Sequence, residues 1–126
     1  LLKIFRECAM GIFILEKQQA MKKFGRIQGT ASTGTTMYNF GLIVGMILGV
    51  TPCSESLVLV AARTWQAEML RGIPGDTKTA AAIAAKRLWP DESFLATPRC
   101  KKPHEGMIDS ALLGLWYRRK MNVQPS

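Results

Sequence analysis

Acidic residues, histidine and paired cysteines are what this chain has least of. Nine Asp plus Glu stand against 17 Lys plus Arg, a formal charge of +8 on 126 residues. That surplus makes a polyanion the leading partner, nucleic acid ahead of an anionic membrane surface. One His and three cysteines, Cys8, Cys53 and Cys100, lying about 45 residues apart with no CxxC pair, exclude a zinc module and a disulfide framework. A reducing compartment follows. Long apolar runs are lacking too: residues 40–50 are about half of what a bilayer-spanning helix needs and are broken by Gly41, Gly45 and Gly49. They predict a buried helix and no membrane span. No charged-then-apolar leader opens the chain.

What is present suffices for a core. With 48% apolar and 21% charged residues, wholesale disorder is excluded, and the length suits one domain. The chain enters on Leu1 without Met, directly into an apolar stretch, so it is expected to be incomplete at its N-terminus.

Residues 1–9 read as the end of an amphipathic helix. Gly11 to Glu16, four apolar residues between Gly and a polar segment, predicts a strand buried on both faces, with Glu16 at its carboxyl end where α/β sheets bind ligands. Residues 17–36 are polar and basic with no periodicity, which predicts a long loop, functional or mobile. A helix is expected over 38–48, its Gly41 and Gly45 admitting another backbone closely, then a short strand at 57–60 and a helix over 64–70. After Gly72, Pro74 and Gly75, either Asp76 or Thr77 can cap a helix running to Leu88, before Pro90. The last helix is expected over 105–120, with Ile108, Ala111, Leu112, Leu115 and Trp116 facing the core and Arg118 to Lys120 solvating its end. This order gives an α/β class, helices packed on a sheet. Two visible strands are few for a complete sheet, a second sign that N-terminal strands are missing.

Glu105 and Asp109, four apart, place two carboxylates on one helix face, where they repel unless a cation lies between them. With Glu16 they are candidates for a three-carboxylate cluster holding Mg²⁺, a hard cation that takes oxygen ligands. Such ions, about 4 Å apart, activate a water and stabilise the leaving oxygen in phosphodiester hydrolysis. Acidic residues in a first turn are equally what the helix dipole favours, and a Glu closing a strand is equally a solvated end. His104, beside Glu105, is a possible auxiliary ligand or acid/base group.

The segments Ile14-Leu15-Glu16-Lys17-Gln18-Gln19-Ala20-Met21, Tyr38-Asn39-Phe40-Gly41-Leu42-Ile43-Val44-Gly45, Thr64-Trp65-Gln66 before Gly75-Asp76-Thr77-Lys78, and His104-Glu105-Gly106-Met107-Ile108-Asp109-Ser110-Ala111-Leu112-Leu113 together resemble the RuvC family of Holliday-junction resolvases, in its phage and organellar branches. The resemblance runs in order over nearly the whole chain. It implies a single RNase H-like domain over 1–126, a mixed sheet flanked by helices and lacking its N-terminal strands. It further implies a homodimer that nicks four-way DNA junctions with Mg²⁺, Mn²⁺ substituting, in recombination and repair, in bacterial or phage-infected cytoplasm or an organelle. By the resemblance Glu16 closes the central strand, Glu105 and Asp109 open the last helix as metal ligands, and Lys78 contacts the DNA backbone near the cut. The segment 17–36 stands in the place of the junction-contacting loop, and the helix from Tyr38 near the dimer interface. Two departures matter. The family's first catalytic Asp has no counterpart here, and Glu105 stands where Asp is commoner, so this chain alone is expected to bind metal weakly and to cleave slowly or not at all.

Lys22, Lys23, Arg26 and Lys78 would flank that acidic centre and neutralise phosphates. Arg99, Lys101 and Lys102 are further backbone contacts, and Phe24, among basic residues, is the candidate to stack on a base. Trp65, Trp89 and Trp116 are expected in the core. A second class of function accounts for the charge as well: a non-catalytic basic DNA-binding module of the same fold.

Overall fold

The structure is a computed structural model and describes residues 11–18, 22–23, 26–27, 31–50 and 57–123. The expected helix at residues 1–9, Phe24, Cys8 and Cys53 lie outside the described residues. The described elements form a mixed α/β arrangement: β1 (Phe13–Glu16), β2 (Lys22–Lys23), β3 (Arg26–Ile27), α1 (Ala31–Val50), β4 (Leu57–Val60), α2 (Ala62–Met69), α3 (Thr77–Leu88) and α4 (Glu105–Val123). The chain divides into two compact units, Leu1–Ala61 and Ala62–Ser126.

In the first unit β1 and β4 pair in parallel, Phe13 opposite Leu57 and Glu16 opposite Val60. Lys17 N–H donates to the Val60 carbonyl at 2.7 Å and carries the ladder one residue past Glu16. Parallel strands need a long crossover, and the forty residues between them supply it. The strand at 13–16 is half-buried along its length, and Leu59 of β4 is exposed, so neither face of this pair is fully covered. Both-face burial is corrected accordingly.

Two further expectations change here. Part of the supposed loop is regular: β2 and β3 pair antiparallel, Lys22 opposite Ile27 and Lys23 opposite Arg26, and residues 31–36 are already helical. Thr and Gly lower helix propensity there, but the long apolar segment that follows carries the helix back through them. The second concerns burial of that helix. Among the described side chains of α1 only Ile47 is buried, while Met37, Tyr38, Leu42 and Leu48 are exposed.

The second unit has a clear core. Trp65 of α2, Ala80, Ala81, Ala84 and Ala85 of α3, and Ile108, Leu112, Leu113 and Trp116 of α4 are buried. The alanines form two adjacent i, i+4 rows, a smooth surface that lets α3 lie close against α4. Gly72, at φ +76°, turns the chain out of α2, a conformation a side chain would oppose. Asp76 then caps α3, its Oδ1 accepting from the Thr79 N–H at 2.8 Å. Helix α3 ends at Leu88, before Pro90, with Trp89 as its C-cap donating its N–H to the Ala85 carbonyl. Trp89 is thus half-buried outside the helix rather than in the core, edge-on to Phe94 at 5.9 Å. In α4 the core row also differs from expectation: Leu113 is buried, while Ala111 and Leu115 are half-buried.

Among the described residues no helix is long and apolar enough to cross a membrane.

Candidate functional site

The chemistry-bearing residues of the second unit gather where α3 and α4 begin. A depression of about 600 Å³ is lined there by Thr77, Lys78 and Thr79 from the first turn of α3, by Lys102 and Pro103, and by Glu105 and Asp109 of α4. Its apolar lining comes from Ala81, Ala82 and Ile108, and Gln66 of α2 also lines it. Local sequence explains why these groups meet. The Gly75-Asp76 turn starts α3 abruptly, and the pairing of α3 with α4 brings one first turn beside the other. At the second helix the His104 carbonyl accepts from the N–H groups of Met107 and Ile108, which fixes where α4 begins. Gly106 leaves room for the His104 ring, because a Cβ there would lie 3.1 Å from Cε1.

Inside the depression Lys78 Nζ lies 3.2 Å from Glu105 Oε2, with both side chains largely in solvent, 74% and 65% exposed. An ammonium therefore supplies the cation that the Glu105 and Asp109 pair was expected to require. Positive ends of two helices also face this point, which favours anionic groups of the protein or of a ligand. The carboxyl of Asp76, the cap of α3, is held below its usual range, first by the Thr79 backbone N–H and then by the Thr79 hydroxyl.

The expected site residues are thus partly assembled. Lys78, Lys102, Glu105 and Asp109 share one depression, whereas Lys101 and His104 do not line it. His104 is exposed, and its backbone N–H donates to the Phe94 carbonyl at 2.7 Å. Glu16 ends β1 in the first unit, half-buried, its carbonyl accepting from the Gln18 side chain at 3.5 Å. Lys22, Lys23 and Arg26 lie on β2 and β3 of that unit. Among the described residues no group of three or more His, Cys, Asp or Glu side chains is gathered for a metal ion. Gln66, Thr77 and Thr79 join the site without having been singled out. The signal for the two threonines was the polar Thr-Lys-Thr run directly after a capping Asp.

Along the basic link, Cys100 is held by its neighbours: its Sγ lies 3.2 Å from the Thr97 hydroxyl, and its backbone N–H donates to the Thr97 carbonyl. Hydrogen bonds from the Thr97 hydroxyl, then from backbone N–H groups of Thr97 and Ala96, draw the thiol below its ordinary range. A second open groove, of about 590 Å³, runs between residues 89–95 and the far side of α4, lined by Trp89, Phe94, Met107, Ala111 and Leu115 with Arg118 at its edge. Phe94 sits there at φ +53°, a left-handed conformation uncommon for a bulky residue.

Comparison of the chain with protein-family models, with curated proteins and with solved structures finds no match.

Proposed function

We propose that the protein is a structure-selective DNA endonuclease of the Holliday-junction resolvase type, with an RNase H-like fold. The observation that carries the reading is the shared depression at the starts of α3 and α4, where Glu105 and Asp109 stand beside Lys78 and Lys102. Carboxylates next to cations at helix starts suit a phosphodiester, whose charge must be held while its bond is broken. The ordered resemblance to the RuvC family supports the same reaction and supplies Glu16 as a third carboxylate.

The donor chemistry fits a divalent cation. Two carboxylates on one helix face offer hard oxygen ligands, and an ammonium already stands in for a cation on one of them. Glu105 and Asp109 would hold Mg²⁺ or Mn²⁺. When bound, the ion supplies an activated water and neutralises the leaving oxygen. The chain's own part is to hold the phosphate, with Lys78 and Lys102 binding its oxygens. Arg99 and Lys101, exposed on the link that leads into α4, extend the contact along a branched DNA. The exposed apolar face of α1 supports a homodimer, as a two-fold junction requires.

The test is nicking of a synthetic four-way junction by the protein as its gene encodes it. Mg²⁺ or Mn²⁺ is expected to support nicking, and Asp109→Asn to abolish it while junction binding persists. Nicking that survives Asp109→Asn removes the assignment.

One observation favours a second reading, a non-catalytic basic DNA-binding module. Glu105 is already satisfied by Lys78, so the pair needs no metal to be stable. Junction binding that gains nothing from divalent ions, with no nicking by the complete gene product, selects that reading.

A further inference from the structure

We propose that Glu68 is a two-position latch on a phosphate-docking surface: it holds Lys120 in the free protein and turns to the Trp116 indole N–H when a nucleic-acid strand draws Lys120 away. The surface lies where the last turns of α2 and α4 meet, and it uses none of the residues that line the Lys78 depression.

Two observations meet at the Glu68 carboxylate. One is an orphan donor: Trp116 is 8% exposed, and its indole N–H is buried without a hydrogen-bond partner among the described residues. Buried indoles ordinarily find an acceptor, and a donor left unpaired costs stability. Glu68 is the acceptor at hand, because this N–H already acts on its carboxyl group without closing a bond. The other observation is what occupies that carboxylate instead. Lys120 Nζ lies 2.9 Å from Glu68 Oε1 and 5.5 Å from the centroid of the Trp116 ring, so a cation and an indole compete for one anion. Both partners of the ion pair are about half exposed, where single pairs are weak and salt-sensitive. Turning the carboxylate to the indole exchanges that exposed contact for a charge-assisted bond to a buried donor. Lys120 has a compact charge on a flexible stem and leaves without moving the backbone.

The surrounding charges decide what Lys120 is released to. Arg71 acts on Glu68 from just beyond α2, and the Arg119 guanidinium rests on the uncharged Met69 Sδ at 3.8 Å. Arg71, Arg119 and Lys120 thus stand around one carboxylate, a cationic surplus that the phosphates of a strand complement. The charge of +8 on the whole chain favours the same partner. Binding a strand therefore frees one cation for it, and satisfies a buried donor that the free protein leaves unpaired.

The experiment follows the assigned Trp116 indole N–H resonance of the isotope-labelled full chain by heteronuclear NMR, without and with a short oligothymidylate. Without DNA, Lys120→Gln is expected to move the indole proton downfield and to slow its exchange with solvent about fivefold, the protection of one ordinary hydrogen bond. Oligothymidylate should bring the same change in wild type. Lys120→Arg, which keeps the ion pair, and Arg119→Gln, which removes an equal charge, should leave the resonance of the free protein in place. Glu68→Ala should abolish both the Lys120→Gln and the oligothymidylate responses. In fluorescence anisotropy, Lys120→Gln should lower the salt slope of oligothymidylate binding by about 1. A Trp116 resonance unmoved in Lys120→Gln overturns the latch, and so does a response that Arg119→Gln reproduces or that survives Glu68→Ala. Oligothymidylate that binds without moving the resonance, or does not bind, overturns the docking surface. Junction nicking by wild type and Asp109→Asn decides the nuclease reading separately.

Discussion

Lys120 Nζ lies 2.9 Å from Glu68 Oε1, a single bond that ties the last turn of α4 to the end of α2. The same ammonium stands 5.5 Å from the centroid of the Trp116 ring and covers a side chain that is otherwise buried. One residue earlier, Arg119 donates to Met69 Sδ at 3.8 Å. Residues that read as mere solvation of a helix end therefore also make contacts with the end of α2. The Glu68 carboxyl is held below its usual range, chiefly by the hydrogen bond and charge of Lys120. The Trp116 indole N–H, which closes no hydrogen bond of its own, adds to this from a distance.

The first prediction follows from that carboxyl. Its folded value lies below the unfolded one near 4.5, so its contribution to stability is full above that pH and fades as pH falls through the folded value. Glu68→Gln removes the contribution at neutral pH, an effect expected to be small and to shrink further with salt, because both partners are about half exposed. Thermal melts of wild type and Glu68→Gln from pH 7 to pH 3 should therefore converge on the acid side. A gap that widens toward pH 3 contradicts the assignment.

Asp76 gives a second, larger effect. Its carboxylate is the only side-chain cap at the start of α3 among the described residues, and α3 presents the alanine rows that the core rests on. Asp76→Ala should lower the melting temperature by about 3 to 6 °C at pH 7. Asp76→Asn, which still accepts from the Thr79 N–H, should lose much less. Because the folded carboxyl lies below its unfolded value near 3.8, wild type and Asp76→Ala should draw together as pH falls below that point. Calorimetry at pH 7 and pH 3 checks both statements.

What could be read before the structure depended on whether local chemistry or tertiary contact decides. The cap at Asp76, the stop before Pro90 and the strand at 57–60 were legible because each is set by the residues themselves. The i, i+4 carboxylates of α4 were legible for the same reason, and so was the need for a cation beside them. Lys78 was expected to flank that acidic centre and to hold phosphate; its direct ion pair with Glu105 was not legible, since it arrives on another helix and only the packing of α3 on α4 places it there. The β2 and β3 pairing escaped for a related reason: two-residue strands leave no periodicity to read. Leu113 was passed over because a wide apolar stripe follows 3.6-residue turns loosely, and its burial depends on which side the neighbours come from.

The third prediction concerns Arg99, Lys101 and Lys102, three exposed cations on the link that leads into α4. If they contact phosphates, each releases about one counter-ion on binding, and the slope of log K against log salt reports their number. Replacing all three by Gln should reduce that slope by about 2 to 3 on a four-way junction and weaken binding to duplex and junction alike, since phosphate contacts carry no sequence. Fluorescence anisotropy across a salt series measures it. An unchanged slope places the DNA elsewhere.

The last prediction tests the face of α1. Tyr38, Leu42 and Leu48 are 67%, 43% and 47% exposed, large apolar side chains that a second copy could cover. Along the helix Gly41, Gly45 and Gly49 recur at i, i+4 and i+8, and a Cβ at any of the three would meet nothing within 4 Å in the protomer. A Cβ at these positions therefore costs the protomer no clash, and removing glycine from a helix interior favours the helix by up to about 1 kcal/mol. Only a second backbone lying close over the glycines gives a substitution there a reason to harm. Light scattering is expected to find a dimer in wild type, and Gly45→Leu should shift it toward monomer while circular dichroism shows undiminished helix. Leu42→Asp should do the same by putting a charge into the buried face. A dimer that survives both substitutions assigns dimerisation to another surface, whereas loss of the dimer with the helix intact assigns it to α1.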